Sequence, residues 1–241
     1  MSVSLKPFGL AAALAVVSAC SPGAPAADTA GDASSADAAA PAPAAAPADA
    51  MATAAAATDT AAPAAPQLHA AMRELWHGHI VHARDYALAV HAGDQAGAKA
   101  AADAVVANAK DIGKAVAGFY GDAAGDGMLQ LLAGHWGAIK AMTDTRAKND
   151  KAGADKAMAD MVANAGGIAK FLAGANPNLP EDTVRGLMLA HGAHHQKEVE
   201  LIMSGDKAGE ATEWTAMQAH MDMIADALAG AIAKQFPDKA S

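Results

Sequence analysis

Three of the ten histidines in this 241-residue chain, His79, His135 and His191, recur at a constant offset of 56 residues. Each interrupts a stripe of apolar residues at helical spacing. Met72, Leu75, His79, Ala83, Tyr86 and Val90 make one stripe, and Met128, Leu131, His135, Ile139 and Met142 make another. A fourth, His220, occupies in a later helical pattern the place that Asn108 and Asn164 occupy in two earlier ones. Polar side chains at core positions must be satisfied. Two chemistries would do it. Either His79, His135, His191 and His220 ligate a transition metal while Asn108 and Asn164 fix their tautomers from outside, or His and Asn hydrogen-bond across each helix pair and set the register of a purely structural layer. The symmetry of the set, with His220 added, favours the metal. An all-nitrogen site suits zinc or copper.

The elements that must position these residues come from an internal repeat. Asp94, Asp150 and Asp206 share the same offset and open DQAG, DKAG and DKAG. Ile112, Ile168 and Ile224 align as well, as do Gly118, Gly174 and Gly230. Each unit contains two long helical patterns, with the aspartate placed to cap the second. GDAAGDG (121 to 127) and NPNLPED (176 to 182) break the pattern between units, with Pro180 opening a helix. The fold expected is all-α: a six-helix bundle of three repeated antiparallel hairpins, about 70–121, 126–177 and 182–236, with pseudo-threefold symmetry. Counting from each turn, His79 and Asn108 stand at one depth, about 22 Å from the turn at 1.5 Å per residue. His135 with Asn164, and His191 with His220, follow by the same count.

Other groups cluster near that depth. His82 and His194 are equivalent positions one turn from His79 and His191, and His195 and Glu198 continue the His191 stripe, so that the three could face one cavity. Glu198 lies where the other units have Tyr86 and Met142, and if buried needs His195 or a metal as partner. His69, His77 and His91 read as surface residues. The methionines fall mostly at core spacing and read as packing rather than a soft-metal site. Trp76, Trp136 and Trp214 read the same way.

The start of the chain is of another kind. Residues 1–19 have one cation, Lys6, and a short apolar run, which is the pattern of a secretory signal rather than a membrane span. Val17-Ser18-Ala19-Cys20 resembles the lipobox of bacterial lipoproteins. That resemblance implies lipidation of Cys20, and Ser21 after it implies the outer membrane, facing the periplasm. Residues 20–66 are almost wholly Ala, Pro, Ser, Thr, Gly and Asp and read as a disordered tether. The remaining 67–241 carries 16 Lys and Arg against 21 Asp and Glu, which disfavours nucleic acid as a partner. With Cys20 in the anchor, no disulfide or thiolate site remains.

Known catalytic patterns fit poorly. Glu-x-x-His occurs once, at Glu74 to His77, where a di-iron site needs it on two helices. There is no haem-attachment motif, and no Ser- or Cys-centred nucleophile motif. LWHGHIVHARDY, NAKDIGKAVAGFYG, LLAGHW, NAGGIAKFLAGANPN, LMLAHGAHH and HMDMIADALAGAIAKQFP together resemble a little-characterised family of bacterial His-containing helical-bundle proteins. In that family a Trp-x-x-His element, an Asn-x-x-x-Ile element running to Asn-Pro, and a terminal Gln-Phe-Pro recur. The resemblance spans about 72–237 and implies His79, His135, His191 and His220 as matching positions, with His82-Ala83-Arg84 departing from the usual pattern after the first His. The function expected is a cell-envelope lipoprotein that binds zinc or copper for buffering, storage or sensing. The alternatives are an interaction module with a structural His/Asn layer and a metal-dependent hydrolase with Glu198 as base.

Overall fold

The computed structural model describes residues 65–240. The expected signal segment, Cys20 and nearly all of the tether lie outside those residues. Within them the protein is all-helical, with no strand. The elements are α1 (Pro66–Ala92), α2 (Gln95–Tyr120), α3 (Asp122–Ala147), α4 (Lys151–Ala175), α5 (Glu181–Ser204), α6 (Lys207–Gln235) and a one-turn α7 (Pro237–Ala240). No described helix is long and apolar enough to cross a membrane.

The turns follow from their residues. Gly93 and Gly205 end α1 and α5 in the left-handed region at φ 72° and 74°, and Asn149 does the same after α3 at φ 56°. Each is followed by an aspartate whose side chain accepts from the backbone N–H three residues on: Asp94 from Gly97, Asp150 from Gly153 and Asp206 from Gly209, all at 2.9 Å. These are N-caps satisfying donors at the start of α2, α4 and α6. The repeated glycine of the DxAG motif is explained too. A Cβ at Gly97, Gly153 or Gly209 would run into the capping carboxylate.

The GDAAGDG segment breaks the chain less than its composition predicts. Only Gly121 lies outside a helix, at φ 88°, and Gly125 and Gly127 belong to the first turns of α3. The glycines serve packing instead. A Cβ on Gly125 would lie 2.7 Å from the carbonyl oxygen of Gly113 and 2.8 Å from the Ala117 side chain, so their absence lets α2 and α3 approach backbone to backbone. At the next junction Asn176 to Pro180 is non-helical, and Pro180 sits at the N-cap just before α5.

α2 packs against α1 and α3, α4 against α3 and α5, and α6 against α5 and α1, while α1, α3 and α5 also touch one another. The odd-numbered helices therefore meet across the middle, and the even-numbered ones fill the grooves outside them. Between α1 and α6 the seam is polar: His69 bonds Asp226 and His77 bonds Asp222, each at 2.9 Å, and Arg73 pairs with Asp226. His69 and His77 are thus half-buried partners of α6 rather than free surface residues, while His91 is exposed. Met128, Met142, Met161, Met217 and Met221 lie in the core, each 1 % exposed or less, whereas Met223 is exposed. Trp76 and Trp136 are buried among apolar neighbours.

A candidate metal centre of four buried histidines

His79 on α1, His135 on α3, and His191 and His195 on α5 converge where the odd-numbered helices meet. One nitrogen from each of the four lies within 4.8 Å of all the others. The side chains are 1–4 % exposed. Their six ring-centroid separations fall between 4.5 and 5.8 Å. Two imidazoles on one tetrahedral ion, with metal–nitrogen bonds of 2.0–2.1 Å, have centroids about 5 Å apart. The rings therefore already stand at the spacing of a four-nitrogen site.

The protein supplies few other partners for these rings. His191 Nε2 and His195 Nε2 are 3.1 Å apart, so one must donate to the other. His79 Nε2, both nitrogens of His135 and His191 Nδ1 are buried with no hydrogen-bond partner. Burial lowers the pKa of His79 to about 3, with the neighbouring His135 and His82 adding to the effect. His135 falls to about 4, again through burial, opposed by the nearby Asn164 carboxamide. His191 is pushed well below the ordinary imidazole value by burial, then by His195, His135 and His79, and His195 likewise by burial, then by His135 and His79. All four are neutral at pH 7, the form in which an imidazole can ligate a metal. The histidines lie close enough, and in the right protonation state, to hold a metal ion.

His220 lies elsewhere. Although at the expected depth, it projects from the outer helix α6, and its Nε2 bonds the Leu187 carbonyl at 3.0 Å. Asn108 and Asn164 do the corresponding thing from α2 and α4: Asn108 Nδ2 donates to the Leu75 carbonyl and Asn164 Nδ2 to the Leu131 carbonyl, each at 2.9 Å. These carbonyls lie one helical turn before His79, His135 and His191. The three outer residues thus secure the backbone that carries the histidines, and the Asn164 carboxamide also stands beside the His135 ring. Neighbouring residues match the reach of each side chain. Gly78 and Gly134 face the carboxamides, where a Cβ would come within 2.8 and 3.0 Å of the amide nitrogen. Opposite the longer imidazole of His220 the aligned residue is Ala190.

The fourth member of the group is His195, placed on the same face of α5 as His191 by its i, i+4 spacing. Glu198 is buried, at 2 % exposure, but its ionic partner is Arg84, 3.8 Å away, and not His195. Arg84 itself donates to Glu210 at 2.6 Å and lies over the Trp214 ring. Burial pushes the Glu198 carboxyl up to about 8 against the pull of Arg84, and its Oε1 has no hydrogen-bond partner. His82 is half-buried. His194 is half-buried as well and pairs with Glu213. Comparison with family models, curated proteins and solved structures found no match to this chain.

Proposed function

We propose that this protein is a metal-binding lipoprotein of the bacterial cell envelope, which holds one zinc or copper ion in the His79, His135, His191 and His195 site for buffering, storage or sensing. The observation that carries the reading is four buried, neutral imidazoles close enough together to share one ion, three of which have nitrogens without a hydrogen-bond partner. A structural layer would be expected to satisfy its own nitrogens, since each unsatisfied buried group costs roughly 1–3 kcal/mol. Four protein ligands also make a closed site, whereas catalytic metal sites keep a position open for water or substrate. This supports holding the ion over hydrolysis.

The scaffold is read as three copies of one helical hairpin about a pseudo-threefold axis. The three aspartate caps and the three hydrogen bonds from α2, α4 and α6 onto Leu75, Leu131 and Leu187 support it. In this reading the axis presents His79, His135 and His191, and His195 completes the set from one side. Lipidation at Cys20 and an outer-membrane location facing the periplasm rest on the lipobox resemblance.

Metal analysis of the purified chain after incubation with zinc or copper and desalting tests the function. The expected result is one ion per chain for the wild type and none retained by His135→Ala. A wild type that retains no more than a background amount of either metal refutes the proposal.

A further inference from the structure

The four ligands are buried, so an ion must be passed inward from the surface, and one side of the site carries groups suited to that. Resting on the metal-binding reading above, we propose that Glu213, His194 and His220 form the loading path through which a divalent ion reaches the four-histidine site. His194 and Glu213 stand at the surface end, with side chains 21 % and 17 % exposed and His194 Nδ1 bonded to Glu213 Oε1. A carboxylate accepting from Nδ1 leaves Nε2 of the neutral ring as the ligand atom, the arrangement that orients metal-binding histidines. The His220 ring follows, with its centroid 5.1 Å from that of His194. This too matches the roughly 5 Å expected of two imidazoles sharing one ion.

The tautomer of His220 is set by its surroundings. Its Nε2 faces the Leu187 carbonyl, which can only accept, so in the neutral ring Nε2 carries the proton and Nδ1 the lone pair. That Nδ1 is buried and has no partner. A hydrogen bond to Leu187 alone would need only the amide that Asn108 and Asn164 supply in the corresponding places. His220 provides the same bond and a free nitrogen besides. Beyond it, the His191 ring lies 6.3 Å away in a stacked arrangement, and His191 belongs to the site. The complete set occurs on this side only. His82 in α1 matches His194, but the residues matching Glu213 and His220 there are Ala101 and Asn108, and around α3 the three matching residues are Ala138, Ala157 and Asn164.

Stopped-flow mixing of the metal-free full chain with zinc held by a chromophoric chelator measures loading, and equilibrium titration against the same chelator measures affinity. The variants are Glu213→Gln, His194→Gln and the pair His220→Asn with Ala190→Gly, which reproduces the residues found at Asn108 and Gly78. The control is His77→Gln, which removes another half-buried His–Asp pair from a different face. The expected result is loading slowed about tenfold or more, a barrier raised by at least about 1.4 kcal/mol, with one zinc per chain still bound at equilibrium and the control unchanged. Unaltered loading in all three variants overturns the path while leaving the site intact. Loss of equilibrium zinc in the His220 pair also overturns it, because His220 would then be a ligand. A wild type that takes up no zinc overturns the binding reading itself.

Discussion

α1 to α4 and α5 with α6 use the same structural devices but differ in what they bury. The first four helices contribute one site histidine per pair, His79 and His135, each supported by an asparagine one helix outward. The last pair contributes two, His191 and His195, and replaces the asparagine with His220. At the level of His195 the earlier helices have Ala83 and Ile139, both buried apolar residues, and at the level of Glu198 they have Tyr86 and Met142. The difference shows that these positions tolerate apolar groups in the same kind of packing. The polar groups of α5 are therefore not needed to fill space. On the proposed function they cost stability in the metal-free protein and are kept for the metal.

That contrast can be broken most directly by making α5 resemble α3. His195→Ile should abolish zinc retention while raising the melting temperature of the metal-free protein, because it removes a buried imidazole and restores the apolar residue found at Ile139. A thermal melt with and without zinc reads both effects. A lower metal-free melting temperature would mean that the histidines hold the bundle together by hydrogen bonding.

Glu198 gives a smaller and pH-dependent difference. Its carboxyl ionises near 4.5 when unfolded and at about 8 in the folded protein. Stability it contributes is fully present below pH 4.5 and is lost as pH rises toward 8, because the unfolded chain releases its proton first. Glu198→Gln removes that loss. Denaturant titrations should show the variant gaining on the wild type between pH 5 and 8, by an amount on the order of a few kcal/mol. A constant difference across that range would show that Glu198 is ionised in the fold.

The smallest effects should be the most alike. Asp94→Ala, Asp150→Ala and Asp206→Ala each remove one equivalent cap and should each cost about 1 kcal/mol by chemical denaturation. Widely different costs would count against three equivalent hairpins.

Much of the scaffold could be read from residue order. Apolar spacing marked the long helices, and Asp-x-Ala-Gly marked the start of three of them, because capping is a local matter between a side chain and the backbone three residues on. The glycines of 121–127 were misleading for the opposite reason. Gly125 answers to Gly113 on the adjacent helix, a contact that local composition does not record. His220 shows the same limit within the site. Counting residues from a turn measures depth along a helix pair, and at that depth His220 does meet the α5 backbone. Distance from the bundle axis depends on which helices are inside, and α6 is outside. His195 had a usable signal, the four-residue spacing from His191 that puts both rings on one helical face.

The sequence by itself determined the all-helical character of the described residues, the capped turns, and the recurrence of one histidine on each inward stripe, since all of these follow from periodicity and local hydrogen bonding. Only the tertiary structure decided that α1, α3 and α5 meet in the middle, that His195 joins His79, His135 and His191, and that Arg84 rather than a histidine faces Glu198. Those outcomes depend on how the helices divide the space between inside and outside, which is settled by packing among residues distant in the chain.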